Sequence, residues 1–123
     1  MAIVKKDSSD RRSLRIPVDL RGSLRHRASW SVAIQDLSLT GCLAQCPASL
    51  DAGAIVDVDL EVGPGVLTTK ARVIDASLDG AALLTAMQYL VGLEFLGLAA
   101  REEADLRRFL QTESRRHGLR ALL

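Results

Sequence analysis

The stretch IVDVDLEVGPGVLTTKARVI, from Ile55 to Ile74, decides the fold class. Apolar and polar residues alternate without a break from Ile55 to Val62, which is the period of a half-buried β-strand. Two glycines around Pro64 then predict a chain reversal. The residues from Leu67 to Ile74 alternate again, so we expect them to return as an antiparallel partner with their basic side chains in solvent.

The same period of two extends in both directions along the chain. From Ile16 onward, apolar residues and Gly22 lie on one predicted face and charged residues on the other. Asp79-Gly80 predicts a tight turn, and the segment 81–87 favours neither helix nor strand. The six predicted strands are one beginning at Ile16, then Trp30–Gln35, Cys42–Cys46, Ile55–Val62, Leu67–Ile74 and Tyr89–Leu96.

The period changes after Leu98 to that of a helix. Leu106, Phe109 and Leu110 share one face of a predicted helix over about 100–117, which has acidic residues in its first turn and basic residues in its last. Short strands followed by one helix predict a mainly β fold, a small six-stranded antiparallel barrel that the C-terminal α-helix plugs or flanks. The absence of βαβ alternation argues against a Rossmann-type site.

Length and composition bound the kind of protein. The 123 residues suit one domain, with 48% apolar and 25% charged residues. We expect a flexible segment at 1–10, the domain at 11–117 and a tail at 118–123. The sequence contains neither an apolar run of roughly 18 residues nor the pattern of a signal peptide. It therefore predicts a cytoplasmic protein without membrane insertion.

Cys42 and Cys46 are predicted to be buried structural thiols. They share one face of a strand but lie about 13 Å apart along it, too far for a disulfide. A metal site is not expected, because the only histidines, His26 and His117, lie at opposite ends of the chain. With no catalytic triad and no phosphate-binding loop either, the sequence predicts a protein that is not an enzyme and carries no cofactor.

Two motifs point to a ligand. Arg11-x-x-x-Arg15 lies in a basic segment, since six arginines and only one acid occur between Arg11 and Arg27. Asp36-x-Ser38-x-x-Gly41 follows one strand pair later. Together with the closing YLVGLEFLGL, these motifs resemble the PilZ family, and the resemblance runs from about Arg11 to Leu110. It implies the split β-barrel of that family.

The resemblance further implies that the chain binds the bacterial second messenger cyclic di-GMP. A guanidinium fork matches the O6/N7 edge of guanine and can also pair with phosphate or stack on a purine. A carboxylate in a turn can accept hydrogen bonds from guanine N1–H and N2–H, a serine can bond to the ligand or brace the turn, and a glycine permits close backbone approach or a positive φ. The family's ligand-binding roles fall on Arg11, Arg15, Asp36, Ser38 and Gly41, with Arg12 as a weaker candidate.

Each motif also has an ordinary structural explanation. Arg11 and Arg15 could form a solvated basic tail, because RxxxR recurs at Arg21/Arg25 and Arg116/Arg120, and DLSLTG could be a plain turn. The order and spacing of the two motifs favour the functional interpretation.

The predicted function is that of a cyclic di-GMP receptor and adaptor. Its N-terminal arginine arm closes over the ligand and signals to a separate effector protein. The alternative is a protein-interaction module of the same fold that does not bind nucleotide. The sequence disfavours nucleic acid as a partner, because the net charge is only +1 and Trp30 is the only aromatic near the basic segment.

Overall fold

The computed structural model describes residues 14–80 and 88–116. The segment 1–10 that we predict to be flexible and the predicted tail at 118–123 lie outside these ranges, as does the unassigned segment 81–87. Among the described residues, no helix is long and apolar enough to cross a membrane.

Six antiparallel strands close into a barrel in the order β1-β2-β3-β6-β5-β4, with β4 pairing back onto β1. This confirms the predicted six-stranded antiparallel barrel. All neighbours along the chain except β3 and β4 pair with each other, and the pairs of β3 with β6 and of β1 with β4 join the two halves of the barrel. The strands are β1 (Ile16–His26), β2 (Ala28–Leu37), β3 (Gly41–Cys46), β4 (Ile55–Val62), β5 (Gly65–Leu78) and β6 (Tyr89–Leu96).

The alternating apolar residues form the barrel interior. Leu24, Ile34, Leu60 and Leu93, from four different strands, are at most 2% exposed. Their burial removes apolar surface from water, which is the main stabilising contribution to the fold. Partly buried residues pack against this core at its rim, and Trp30 and Tyr89 are among them.

The C-terminal helix α1 (Ala100–Arg116) packs against β1 and β5. Leu106 and Leu110 are fully buried, and Phe109 packs against the core from a partly buried position, as their common face predicts. Acidic residues in the first turn and basic residues in the last complement the helix dipole.

Strands β2, β3 and β5 have bounds other than those predicted, and β3 and β5 begin at Gly41 and Gly65 rather than at Cys42 and Leu67. β2 begins at Ala28 and continues to Leu37, so Asp36 belongs to the strand and not to the turn after it. β5 continues past Ile74 to Leu78, because a register shift between Val73 and Asp75 breaks the alternation without ending the strand.

The prediction of a tight turn at Asp79-Gly80 is wrong. Leu78 pairs with Tyr89, and the Asp79 amide donates to the Gln88 carbonyl at 2.8 Å, so the connection to β6 is longer than two residues.

The two cysteines are free and buried, which confirms the prediction of structural thiols. Burial raises the pKa of the Cys42 thiol to about 12, and the negative charge of Asp36 adds to the shift. Burial likewise raises the pKa of Cys46. The thiolate is the reactive form of cysteine, so these shifts and the burial of both thiols disfavour their reaction near neutral pH.

We therefore expect both thiols to react with a thiol-reactive disulfide reagent far more slowly in the native protein than in denaturant at the same neutral pH. A spectrophotometric time course measures the two rates, and the denatured sample serves as its own control. Reaction of either cysteine at the denatured rate in the native protein would contradict the burial described above.

Candidate functional site

Arg15 and Asp36 meet on the outer face of the barrel, where β1 begins and β2 ends. Asp36 is paired across the sheet with Pro17 in β1 and with Leu43 in β3. Arg15, one residue before β1, donates from Nη1 to Oδ1 of Asp36 at 2.6 Å. The fold thus brings one residue of each motif into direct contact, while Arg11 and Arg12 lie outside the described residues.

The ion pair between Arg15 and Asp36 is accessible to solvent. The Arg15 side chain is 54% exposed and that of Asp36 is 24% exposed. An exposed pair of this kind stabilises a protein by about 0.2–1 kcal/mol. Contacts with a polar ligand can therefore replace this ion pair at little cost in free energy.

Ser38 lies inside the turn between β2 and β3, and is 1% exposed. Its hydroxyl accepts hydrogen bonds from the amides of Thr40 at 3.2 Å and Gly41 at 3.1 Å. Its own amide donates to the Gly41 carbonyl at 2.9 Å. Of the two roles that the sequence allowed, bracing the turn is the one for which the geometry provides direct contacts.

Gly41 lies against the backbone of β6, which leaves no room for a side chain. A Cβ atom on Gly41 would lie 2.0 Å from the carbonyl oxygen of Leu93, well inside any allowed contact. Gly41 is not among the positive-φ glycines of the described residues, so the close backbone approach, and not φ, requires glycine here.

A continuous row of outward-facing residues extends from Asp36 across the sheet. Asp36 pairs with Leu43, Leu43 with Gly92, and Gly92 with Asp75. Leu43 is partly buried and Gly92 has no side chain, so the middle of the row is a flat and mostly apolar surface. We call Asp36, Leu43, Gly92 and Asp75 the transverse row.

Two members of the transverse row follow an irregularity that sequence reasoning did not detect. Register shifts occur between Ile34 and Asp36 in β2 and between Val73 and Asp75 in β5. The signal in the sequence is a single break of alternation in each strand, which is too small to distinguish a bulge from a strand end. Bulges of this kind often re-aim a side chain at a functional site.

The clearest concavities lie elsewhere, beside α1. A groove of about 490 Å³ separates the helix from the β4–β5 hairpin, and its charged lining residues are Glu102, Asp105, Arg108, Glu113 and Arg116. Arg108 pairs with Asp105 and Arg116 with Glu113. The remaining charge is negative, which disfavours an anionic ligand there.

The competing RxxxR pair in β1 lies on a different part of the barrel. Arg25 is in an ion pair with Asp59 of β4, which also accepts a hydrogen bond from Thr68. Arg21 is exposed on the same strand. Since Arg25 is held by Asp59, this pair is a poorer candidate for a ligand than Arg15.

Among residues 14–80 and 88–116, no group of three or more His, Cys, Asp or Glu side chains is arranged to hold a metal ion. The described surface around Asp36 thus presents Arg15, carboxylates, the Arg72–Glu94 ion pair in the adjoining row and a mostly apolar middle.

Comparison with solved structures shows the same fold in several bacterial proteins. The PilZ domain of YcgR from Escherichia coli, solved with c-di-GMP, matches with a TM-score of 0.70 and 20% identity over 86% of this chain and 92% of that one. The Bacillus subtilis inhibitor of motility MotI/DgrA matches with a TM-score of 0.69 and 17% identity, over 85% of this chain and 50% of its own.

The complex of K. pneumonia MrkH with c-di-GMP matches with a TM-score of 0.69 and 18% identity, over 86% of this chain and 54% of that protein. The chain thus spans about half of the length of MotI/DgrA and of MrkH. Comparison with curated proteins gives no significant match.

The sequence also matches a family model, and the match covers the arginine segment, the barrel and most of α1. The model is that of the PilZ domain, and it aligns with residues 9–112. The chain therefore belongs to the PilZ domain family.

Proposed function

We propose that this PilZ domain is a receptor for cyclic di-GMP and acts as an adaptor, with Arg11, Arg15 and Asp36 contacting the ligand. The observation that carries the proposal is the contact between Arg15 and Asp36 on an open outer face of the barrel. It joins two motifs that are 21 residues apart in the sequence.

The contacting groups suit a guanine nucleotide with two phosphates. The Asp36 carboxylate accepts hydrogen bonds from guanine N1–H and N2–H, whereas the Arg15 guanidinium donates to the O6/N7 edge or to a phosphate. Arg11, and more weakly Arg12, would add positive charge from the arm. The ligand is anionic, so charge-assisted hydrogen bonds to arginine are the stronger part of its binding.

Ser38 and Gly41 serve this site through its backbone. Ser38 fixes the turn immediately after Asp36 by its hydrogen bonds to the next residues. Gly41 lets β3 lie against the Leu93 carbonyl, which keeps the neighbouring part of the floor flat. Both residues thereby hold Asp36 in position for the ligand.

Ligand binding would replace the exposed ion pair by contacts of both residues with the nucleotide. The arginine arm would then close over the ligand, and its ordered form would present a new surface to a separate effector protein. The solved complexes of the E. coli YcgR domain and of MrkH with c-di-GMP, which share this fold, support the choice of ligand.

Calorimetric titration tests the receptor function. We expect the wild-type protein to bind cyclic di-GMP in preference to GTP and cyclic di-AMP. Loss of a bidentate contact costs about 1–3 kcal/mol, so Arg15→Ala and Asp36→Ala should each weaken binding by about 10-fold or more. Arg21→Ala removes an equal charge from the exposed face of β1 and is the matched control, which should retain most of the affinity.

No binding by folded wild-type protein would overturn the proposal and favour a protein-interaction module of the same fold. Equal binding of double-stranded DNA or RNA, with a steep salt dependence and no nucleotide preference, would instead indicate a nucleic-acid protein.

Ser38→Ala separates the supporting role from direct ligand contact. The substitution leaves two amides in the buried turn without their acceptor, which costs about 1–3 kcal/mol in the free energy of unfolding. Denaturant unfolding measures this loss, with Ser31→Ala on the exposed face of β2 as the control that changes stability by less than about 0.5 kcal/mol.

An unfolding free energy of Ser38→Ala equal to that of the wild type would show that the turn does not depend on this hydroxyl. In that case a loss of ligand affinity in the same variant would assign Ser38 to direct contact.

A further inference from the structure

A second carboxylate stands at the far end of the transverse row. Asp75 in β5 lies in the same row as Asp36, with Leu43 and Gly92 between them. Three strand spacings separate the two aspartates, which is about 14 Å along the surface.

A bulge is what turns Asp75 outward. In the first part of β5 the odd-numbered residues face the core, and Ala71 and Val73 are at most 1% exposed. The register shift after Val73 reverses this alternation, so Asp75 is exposed while Ala76 packs against the core. Without the bulge, a carboxylate at this position would point into the apolar interior, at a large cost in free energy.

The Asp75 carboxylate leans over the backbone of Gly92. A Cβ atom placed on Gly92 would lie 2.9 Å from Asp75 Oδ1. Any side chain larger than glycine in β6 would therefore compete with this carboxylate for the same space. The surface between the two aspartates is therefore formed by Leu43 and by the Asp75 carboxylate over the Gly92 backbone.

The Asp75 side chain forms no polar interaction within the described part of the molecule. Among residues 14–80 and 88–116, its carboxylate has no hydrogen-bond or ion-pair partner. The neighbouring acids differ: Asp79 accepts from Gln45 at 2.7 Å and Glu94 pairs with Arg72 at 3.1 Å. An exposed carboxylate with no partner among the described residues is available to donors on a ligand.

We propose that Asp75 is a specificity-determining residue that reads the second guanine of cyclic di-GMP, in an inference that rests on the proposed function. The ligand carries two guanines on opposite sides of its sugar–phosphate ring. One guanine lies at Asp36 and Arg15, and the ligand spans the row so that the other reaches Asp75. The carboxylate there accepts from guanine N1–H and N2–H, whereas adenine presents an acceptor at N1 and cannot make this pair.

A ligand with one guanine and one adenine tests this assignment. We expect wild-type protein to bind cyclic di-GMP about 10-fold more tightly than cyclic GMP-AMP, the value of one bidentate contact. In Asp75→Asn this preference should fall to near unity, because the affinity for cyclic di-GMP decreases while that for the mixed ligand does not. Isothermal titration with both ligands and both proteins gives the four affinities.

Asp105→Asn is the matched control, since it removes one negative charge from α1, where Asp105 pairs with Arg108. It should keep the wild-type preference for two guanines. Thermal unfolding of each variant checks that the fold is retained.

The direction in which Asp75→Asn changes the affinity for cyclic di-GMP distinguishes direct recognition of guanine from simple charge repulsion. A bystander carboxylate repels the two phosphates, so its removal would tighten the binding of both ligands. Tighter or unchanged binding of cyclic di-GMP by Asp75→Asn, or a preference equal to that of the wild type, overturns the assignment while leaving the receptor function in place. Failure of wild-type protein to bind cyclic di-GMP overturns both.

Discussion

The contact between Gly41 and the Leu93 carbonyl is the constraint on which the rest of the structure depends. β3 and β6 are far apart in the sequence, and their pairing joins the β1–β2–β3 sheet to the β4–β5–β6 sheet. A Cβ atom on Gly41 would lie 2.0 Å from the Leu93 oxygen, so the two strands reach this distance only with glycine. The turn that Ser38 braces delivers Gly41 to the contact, and the same turn fixes the end of β2 that carries Asp36. The same turn thus supports both the pairing of β3 with β6 and the position of Asp36.

The distribution of charge favours the proposed ligand site on the outer face over a site in the groove beside α1. The groove beside α1 is lined by more acids than bases, and its arginines are already paired. On the outer face, Arg15 is exposed and forms a weak ion pair with Asp36. A pair of this strength can orient both side chains in the free protein, and under the proposed function an anionic ligand would replace it. The low stability of the Arg15–Asp36 ion pair is therefore compatible with a role in ligand binding.

Much of the fold could be predicted from the sequence, because uninterrupted alternation is a strong signal. The strand from Ile55 to Val62 and that from Tyr89 to Leu96 have the predicted bounds, and the helix packs through the predicted leucines. For the site, the two motifs directed attention to Arg15 and Asp36, which the fold brings into contact. The roles of Ser38 and Gly41 depend on neighbours across the chain, such as Leu93, and no local pattern reveals those neighbours.

The bulges in β2 and β5 could not be predicted from the sequence. A strand predicted to end at Ile74 leaves Asp75 in a connection, where an aspartate needs no explanation. Only the pairing of Asp75 with Gly92 shows that the strand continues and that the carboxylate faces outward beside the floor. The row from Asp36 to Asp75 crosses four strands, so its members are close in space but dispersed in the sequence.

The most direct test is to map the ligand contact on the protein. Amide chemical-shift changes in isotope-labelled protein during titration with cyclic di-GMP give this map. We predict the largest changes along the transverse row, at Asp36, Leu43, Gly92 and Asp75. Changes confined to the groove between α1 and the β4–β5 hairpin, with the row unaffected, would contradict it.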